Sequence, residues 1–132
     1  MELENVANAP GAIGPYSHAV THNDLIFCSG QISLDPETME LVGHSIQTQA
    51  KQVMKNIETI LTGLGSSMDR IIKATVFLDN MDDFANMNSV YESCLNGHKP
   101  ARSVFEVARL PKGALIEVEC IAAKAADQIE EV

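Results

Sequence analysis

Two carboxylates and one guanidinium near the C-terminus are the side chains whose types and spacing best fit small-molecule chemistry. Glu117 and Glu119 alternate with apolar residues, so a strand would place both on one face. Arg102 follows Pro100-Ala101 at the start of the preceding strand candidate. A carboxyl group can move protons, and a guanidinium binds a carboxylate through two parallel hydrogen bonds. A solvated strand face and a surface ion pair explain these residues more simply, and the sequence alone cannot place Arg102 beside Glu117.

Five further residues could line such a pocket, and each also has a plain structural explanation. Tyr16 follows a stiff Gly-Pro turn, where a tyrosine either covers a pocket or packs as a plug. Ser29 and Gly30 come near the end of a strand candidate, where a glycine indicates a bulge or a close backbone approach. Asn88 and Phe84 belong to a predicted helix, where they fit a solvent-facing and a core residue. Taken singly, none of them establishes a function.

Composition narrows the classes of protein to consider. The 132 residues suit a single domain spanning 1–132. Nine Lys and Arg against eighteen Asp and Glu give a net charge of −9, which opposes binding to nucleic acid and to acidic membranes. No apolar run reaches the roughly 20 residues that cross a bilayer. The four His and three Cys lack metal or disulfide spacing, and no Gly-rich phosphate loop is present. We therefore expect a cytoplasmic domain without a metal or a disulfide.

The elements that must position these residues follow from periodicity and turn signals. Apolar residues at three- and four-residue steps predict helices at 46–64, capped by Ser45, and from 82 or 83 up to Gly97. Residues 1–16 read as a loop, and 1–8 and 125–132 as frayed ends. Cys28 and Cys120 fall in apolar runs that predict buried thiols. Strands are predicted at 17–21, 25–31, 71–78, 102–107 and 115–123. The order β-β-α-β-α-β-β predicts an α+β domain with one sheet and two helices on one face.

Four segments, in this order, carry a likeness to a known family: residues 9–17 (APGAIGPYS), 29–31 (SGQ), 100–113 (PARS, then EVARLPKG from Glu106) and 116–122 (IEVECIA). Together they resemble the RidA/YjgF family, also called the L-PSP endoribonuclease family. The resemblance spans about residues 7–124, and residues 100–122 are its most specific part.

The resemblance implies a chorismate-mutase-like fold with a mixed sheet, assembled as a homotrimer with three clefts between subunits. It implies hydrolysis of 2-iminobutanoate and 2-iminopropanoate to 2-keto acids and ammonia, without a cofactor. By that likeness Arg102 would hold the substrate carboxylate, and Glu117 would position water and move protons. Val104 stands where some members have Cys, so we expect no thiol chemistry. Tyr16, Ser29, Phe84 and Asn88 would match further pocket positions, and Gly30 would admit the ligand to the backbone.

Two other functions remain open at this point. The family has also been described as ribonucleases or translation inhibitors, but the net charge of −9 opposes a groove that follows phosphates. An arginine-lined cleft could also bind 2-keto acids without catalysis, as a metabolite sensor or a chaperone-like protein.

Overall fold

The computed structural model of the protein describes residues 1–126, which form a six-stranded mixed sheet with two α-helices. The α+β class predicted from the sequence is confirmed. The strands are β1 (Glu2–Glu4), β2 (Ala19–His22), β3 (Leu25–Gln31), β4 (Ile71–Leu78), β5 (Ala101–Glu106) and β6 (Ile116–Ala123), and the helices are α1 (Ile46–Gly63) and α2 (Phe84–Leu95).

The sheet has the strand order β1-β2-β3-β6-β4-β5. All neighbouring strands are antiparallel except β4 and β5, which are parallel and joined through α2. The last strand of the chain, β6, therefore lies between β3 and β4 in the middle of the sheet. Its alternate residues Ile116, Val118, Cys120 and Ala122 are buried, as the core face of a central strand requires.

Both helices pack on one face of the sheet and bury the apolar core there. Ser45 caps α1 by accepting a hydrogen bond from the amide of Thr48, and Gly65 beyond its end adopts a positive φ of 76°. Both assignments agree with the prediction. The interior contains fully buried side chains from α1, β4 and β6, which include Ile57, Ile60, Leu61, Val76 and Val118.

The opposite face of the sheet, which we call the open face, is not covered by residues 1–126. Phe77 pairs with Phe105 on one side and with Glu117 on the other, so the three side chains share this face. The rings of Phe77 and Phe105 stack with centroids 6.4 Å apart, and Phe105 is 52% exposed. Phe27 of β3 is 41% exposed on the same face. An apolar surface of this kind favours contact with another protein surface.

The sequence prediction was wrong at the N-terminus. Glu2–Glu4, expected to belong to a frayed loop, form a strand in which Leu3 pairs with Val20. Leu3 is 72% exposed, so the strand is held by backbone pairing and has no apolar pattern to reveal it. The α2 helix begins at Phe84 because residues 81–83 form a 3₁₀ turn. Residues 127–132 of the predicted frayed C-terminal end lie outside the described residues.

Candidate functional site

Arg102 lies in a cleft of about 450 Å³ beside α2, which we call the arginine cleft. The Arg102 guanidinium donates a hydrogen bond from Nη1 to Oδ1 of Asn88 at 2.7 Å. Its Cζ atom lies 4.8 Å from the centre of the Tyr91 ring and 5.7 Å from that of Phe84. An amide and two aromatic faces therefore fix the position of the cation. Within residues 1–126 no acceptor engages its other nitrogens, so these can bind a carboxylate.

Tyr91 is a residue of this cleft that the sequence analysis did not name as part of a site. Its apolar spacing predicted only a core residue, and its ring does belong to the core, at 9% exposure. Its hydroxyl is buried without a partner in residues 1–126. Burial raises the pKa of Tyr91, and the charge of Arg102 partly opposes that shift. Phe84, Asn88 and Tyr91 are spaced four and three residues apart, a pattern that could have revealed their shared helix face.

A second and larger cleft, of about 710 Å³, contains Glu117, and we call it the glutamate cleft. Tyr16, Ser29 and Gly30 line it, as do Glu119 and Lys112. Ser29 is fixed by two hydrogen bonds: Oγ donates to the carbonyl of Ser17 at 2.7 Å, and its amide donates to the carbonyl of His18 at 2.9 Å. The cleft therefore combines a preformed hydroxyl with two carboxylates.

Gly30 is the residue that lets Glu117 lie against strand β3. A Cβ atom at Gly30 would come within 2.9 Å of Cδ of Glu117, closer than real Cβ contacts allow. The register between β3 and β6 shifts between Cys28 and Gln31, so Ser29 and Gly30 form an irregularity in the strand. This irregularity agrees with the sequence analysis, which indicated a bulge or a close approach at this glycine.

The electrostatic environment of Glu117 suits proton transfer. Burial raises the pKa of the Glu117 carboxyl above its ordinary value, and the negative charge of Glu119 raises it further. A carboxylate whose pKa lies closer to neutrality is a stronger base and accepts a proton from water more readily. Glu119 itself is exposed, as expected for an alternating strand.

Lys112 is a further residue of this cleft that the sequence analysis did not single out. Its backbone is left-handed, with a φ of 57°, and its Nζ donates to the carbonyl of Met39 at 3.1 Å. It is the cation among the residues that line the glutamate cleft. A lysine in a short Pro-Lys-Gly turn gives no periodic signal, which explains why spacing alone did not find it.

The two clefts lie on opposite faces of the sheet. Arg102 pairs with Ala74 of β4, whose side chain points into the core beneath the helices. Glu117 pairs with Phe77, which points to the open face. Strand β4 also separates the two residues. The structure therefore brings Tyr16, Ser29, Gly30 and Glu117 together, and separately Phe84, Asn88 and Arg102. An ion pair between Arg102 and Glu117 of one chain is excluded.

Two further expectations from the sequence, buried thiols and the lack of a metal site, concern residues outside both clefts. Cys28 and Cys120 are cross-strand partners, 4% and 3% exposed, so the predicted burial of both is confirmed. A hydrogen bond between the Cys120 and Cys28 side chains, together with burial, raises the pKa of the Cys120 thiol. Among residues 1–126 no three His, Cys, Asp or Glu side chains are grouped so as to hold a metal ion. None of the helices in that range has the length and apolarity that crossing a bilayer demands.

Comparison with known proteins gives consistent matches over almost the whole chain. The family model described as Endoribonuclease L-PSP matches residues 6–124. A RutC family protein of Pyrococcus horikoshii is 50% identical over 117 residues, 89% of this chain and 93% of its own. Human 2-iminobutanoate/2-iminopropanoate deaminase is 42% identical over 118 residues, 89% of this chain and 86% of its own.

A solved structure agrees with this relationship. The crystal structure of E. coli TdcF with bound serine is 39% identical in sequence and superimposes with a TM-score of 0.89, covering 95% of this chain and all of that one. A family model that spans residues 6–124 and relatives that share the fold leave no ambiguity about ancestry. The chain belongs to the L-PSP endoribonuclease family, the RidA/YjgF family that its sequence motifs resemble.

Proposed function

We propose that this protein hydrolyses 2-iminobutanoate and 2-iminopropanoate to 2-keto acids and ammonia, at a site that two copies of the chain build together. The observation that carries the proposal is that the two clefts hold different reactive groups on opposite faces of the sheet. Arg102 is held in place with donors available, Glu117 has a pKa raised by burial, and the sheet separates them. A second copy is what can bring an arginine cleft to a glutamate cleft.

The chemistry needs no group beyond those of the two clefts and water. Arg102 binds the carboxylate of the imino acid and so fixes its C=N bond. The protonated imine carbon is electrophilic. Water attacks that carbon while Glu117 accepts one of its protons. Glu117 passes that proton to the carbinolamine nitrogen, and the C–N bond breaks with its electron pair going to nitrogen. Ammonia leaves as the hydroxyl proton moves to the Glu117 carboxylate and the carbonyl of the keto acid forms. The acceptor carboxyl is free again once the proton is passed on.

Named relatives support this assignment. The human and mouse proteins called 2-iminobutanoate/2-iminopropanoate deaminase are 42% identical to this chain. The TdcF structure holds serine, and serine carries the α-carboxylate that the proposed substrates share. Other family members bear the endoribonuclease name, but a cleft with two carboxylates repels a phosphate backbone.

The open face supports the assembly on which the site depends. Phe27 and Phe105 leave apolar surface exposed beside Glu117, and contact between copies would bury it. We propose a homotrimer, in which three equivalent interfaces each pair one arginine cleft with one glutamate cleft. Light scattering at micromolar concentration measures the mass directly, and a monomer would contradict the shared site.

The activity is tested by coupling the protein to a threonine dehydratase, which releases the imino acid. We expect faster formation of ammonia and 2-oxobutanoate than the uncatalysed hydrolysis gives. Titration with 2-oxobutanoate in the same experiment separates catalysis from simple binding. Saturable binding without acceleration would identify a metabolite-binding protein instead.

The shared site is tested by mixing two impaired variants and assaying them well below the wild-type KM. Arg102→Lys and Glu117→Gln chains are unfolded together and refolded as a one-to-one mixture. Random assembly then joins an intact arginine cleft to an intact glutamate cleft at about a quarter of the interfaces, so about a quarter of the wild-type activity should return. Native mass spectrometry confirms that mixed assemblies have formed. Mixed assemblies without activity would refute a site built from two chains.

A further inference from the structure

His18 is a buried residue that the proposed chemistry does not use. It immediately precedes β2 and is 3% exposed. Its Nδ1 atom accepts a hydrogen bond from the amide of Val6 at 2.9 Å, and its Nε2 lies 2.6 Å from the carbonyl oxygen of Pro10. Because an amide can only donate and a carbonyl can only accept, the ring must be neutral with its proton on Nε2.

The two ring contacts hold the segment that leads into the glutamate cleft. The amide of His18 also donates to Oδ1 of Asn5 at 3.2 Å, so one residue binds the segment of residues 5–10 at three points. Val6 also fills a notch at the end of α1, where a Cβ atom at Gly63 would come within 2.4 Å of its Cγ1. The segment 10–16 lines one side of the glutamate cleft, and we call it the Tyr16 wall. Its first residue is therefore held in a fixed position.

His18 also holds Ser29 and Gly30, which line the same cleft and which we call the Ser29 wall. The carbonyl of His18 accepts the amide of Ser29 at 2.9 Å, and the neighbouring carbonyl of Ser17 accepts its hydroxyl. Ser29 adjoins Gly30, against which the Glu117 carboxyl lies. His18 thus binds the Tyr16 wall through its side chain and the Ser29 wall through its backbone.

We propose that His18, as the neutral Nε2–H tautomer, is a positioning residue that sets the separation between these two walls of the glutamate cleft. This inference rests on the proposed function, because it assigns the separation a role in binding and orienting the imino acid. Removing the ring contacts releases the Tyr16 wall while leaving the reacting groups in the chain. Residues 10–16 include part of the lining of the glutamate cleft, so their displacement should weaken ligand binding and leave the reacting groups in place.

Two substitutions separate positioning from folding. His18→Leu removes both ring contacts and should raise KM about tenfold in protein that remains folded. His18→Gln supplies an acceptor oxygen and donor hydrogens on one amide and should recover most of that loss. His44→Leu, at an exposed loop position, is the matched control. A purely structural role would lower the active fraction and kcat while leaving KM unchanged.

Two measurements test the ring contacts of His18 without an enzyme assay. ¹⁵N NMR of the wild-type ring should show the proton on Nε2, and amide exchange at Val6 and residues 10–16 should accelerate in His18→Leu only. A proton on Nδ1, or wild-type KM in His18→Leu, would overturn the proposal. If the wild-type protein shows no deaminase activity, the proposed function fails by itself. The Kd for 2-oxobutanoate then replaces KM, with the same tenfold expectation for His18→Leu.

Discussion

The arginine cleft and the glutamate cleft solve different physical problems with residues from the same sheet. The guanidinium of Arg102 has to be held in place, and α2 supplies an amide and two aromatic rings that fix its position. Glu117 can gain or lose a proton. Burial and the negative charge of Glu119 both raise the pKa of its carboxyl towards neutral pH. In the proposed reaction, the arginine cleft would hold the ligand and the glutamate cleft would exchange a proton with it.

The comparison teaches that the two properties conflict within one small volume. A guanidinium beside Glu117 would stabilise the carboxylate and lower the pKa that burial raises. Within one chain, their positions on opposite faces of the sheet avoid that effect. In the proposed shared site, the carboxylate of the substrate would engage the cation. Four experiments test this division, in order of decreasing effect.

Glu117→Gln should abolish most of the chemistry and little of the binding. The amide cannot accept the proton from water, and general base catalysis contributes roughly 100- to 10,000-fold. We expect kcat to fall by that factor, with KM changed only slightly. Glu58→Gln, exposed on α1, controls for loss of a negative charge. A kcat within a few-fold of wild type would remove Glu117 from the mechanism.

Arg102→Lys should act mainly on binding. Lysine keeps the charge and loses the planar fork, and hydrogen bonds to charged groups contribute about 1.5–3 kcal/mol. We expect kcat/KM to fall about 10- to 100-fold, largely through KM. Arg109→Lys changes an exposed arginine of the following loop and serves as the matched control. Unchanged kinetics in Arg102→Lys would refute its assignment to the substrate carboxylate.

Gly30→Ala should displace Glu117 without removing it. The new methyl group meets the carboxyl carbon at 2.9 Å, so the side chain must turn away. We expect kcat to fall about tenfold, since misplaced catalytic groups lose much of their effect. Combining the change with Glu117→Gln gives a double-mutant cycle. If Gly30 acts through Glu117, the alanine costs nothing more in that background, whereas additive losses would indicate a separate role.

The smallest expected effect is on how the free energy of unfolding depends on pH. The folded-state pKa of Glu117 is raised, so its protonation favours folding below the unfolded value of about 4.3, and that contribution is lost as pH rises through the folded value. Glu117→Gln does not titrate. Urea unfolding between about pH 4 and pH 8 should therefore show wild type losing stability relative to Glu117→Gln. A constant difference across the series would show that Glu117 is not desolvated.

Much of the fold could be predicted from the sequence because its signals are local. The β3, β4 and α1 elements follow from alternation, β-branched runs and caps such as Ser45. Strand β1 escaped prediction because its three residues are held by a partner strand and carry no pattern of their own. The 3₁₀ turn before α2 has the same composition as a helix N-terminus.

The candidate site was predicted only in its parts. Alternation places Glu117 and Glu119 on one face, and Gly30 indicates a close approach, but no spacing states which face Arg102 occupies relative to Glu117. That relation depends on strand order, which is a long-range property. His18 illustrates a further limit, because its partners Val6 and Pro10 are backbone groups and leave no trace in residue type.

The position of β6 has a consequence for how the chain must be made. Residues 116–123 pair with β3 on one side and β4 on the other. Both of these strands are made earlier, and each lacks one neighbouring strand until β6 has left the ribosome. Until then, the edges of β3 and β4 stay unpaired, and such edges can join another chain. A chain arrested before residue 116 should therefore aggregate, and release of the final segment should act as the step that commits the domain to fold.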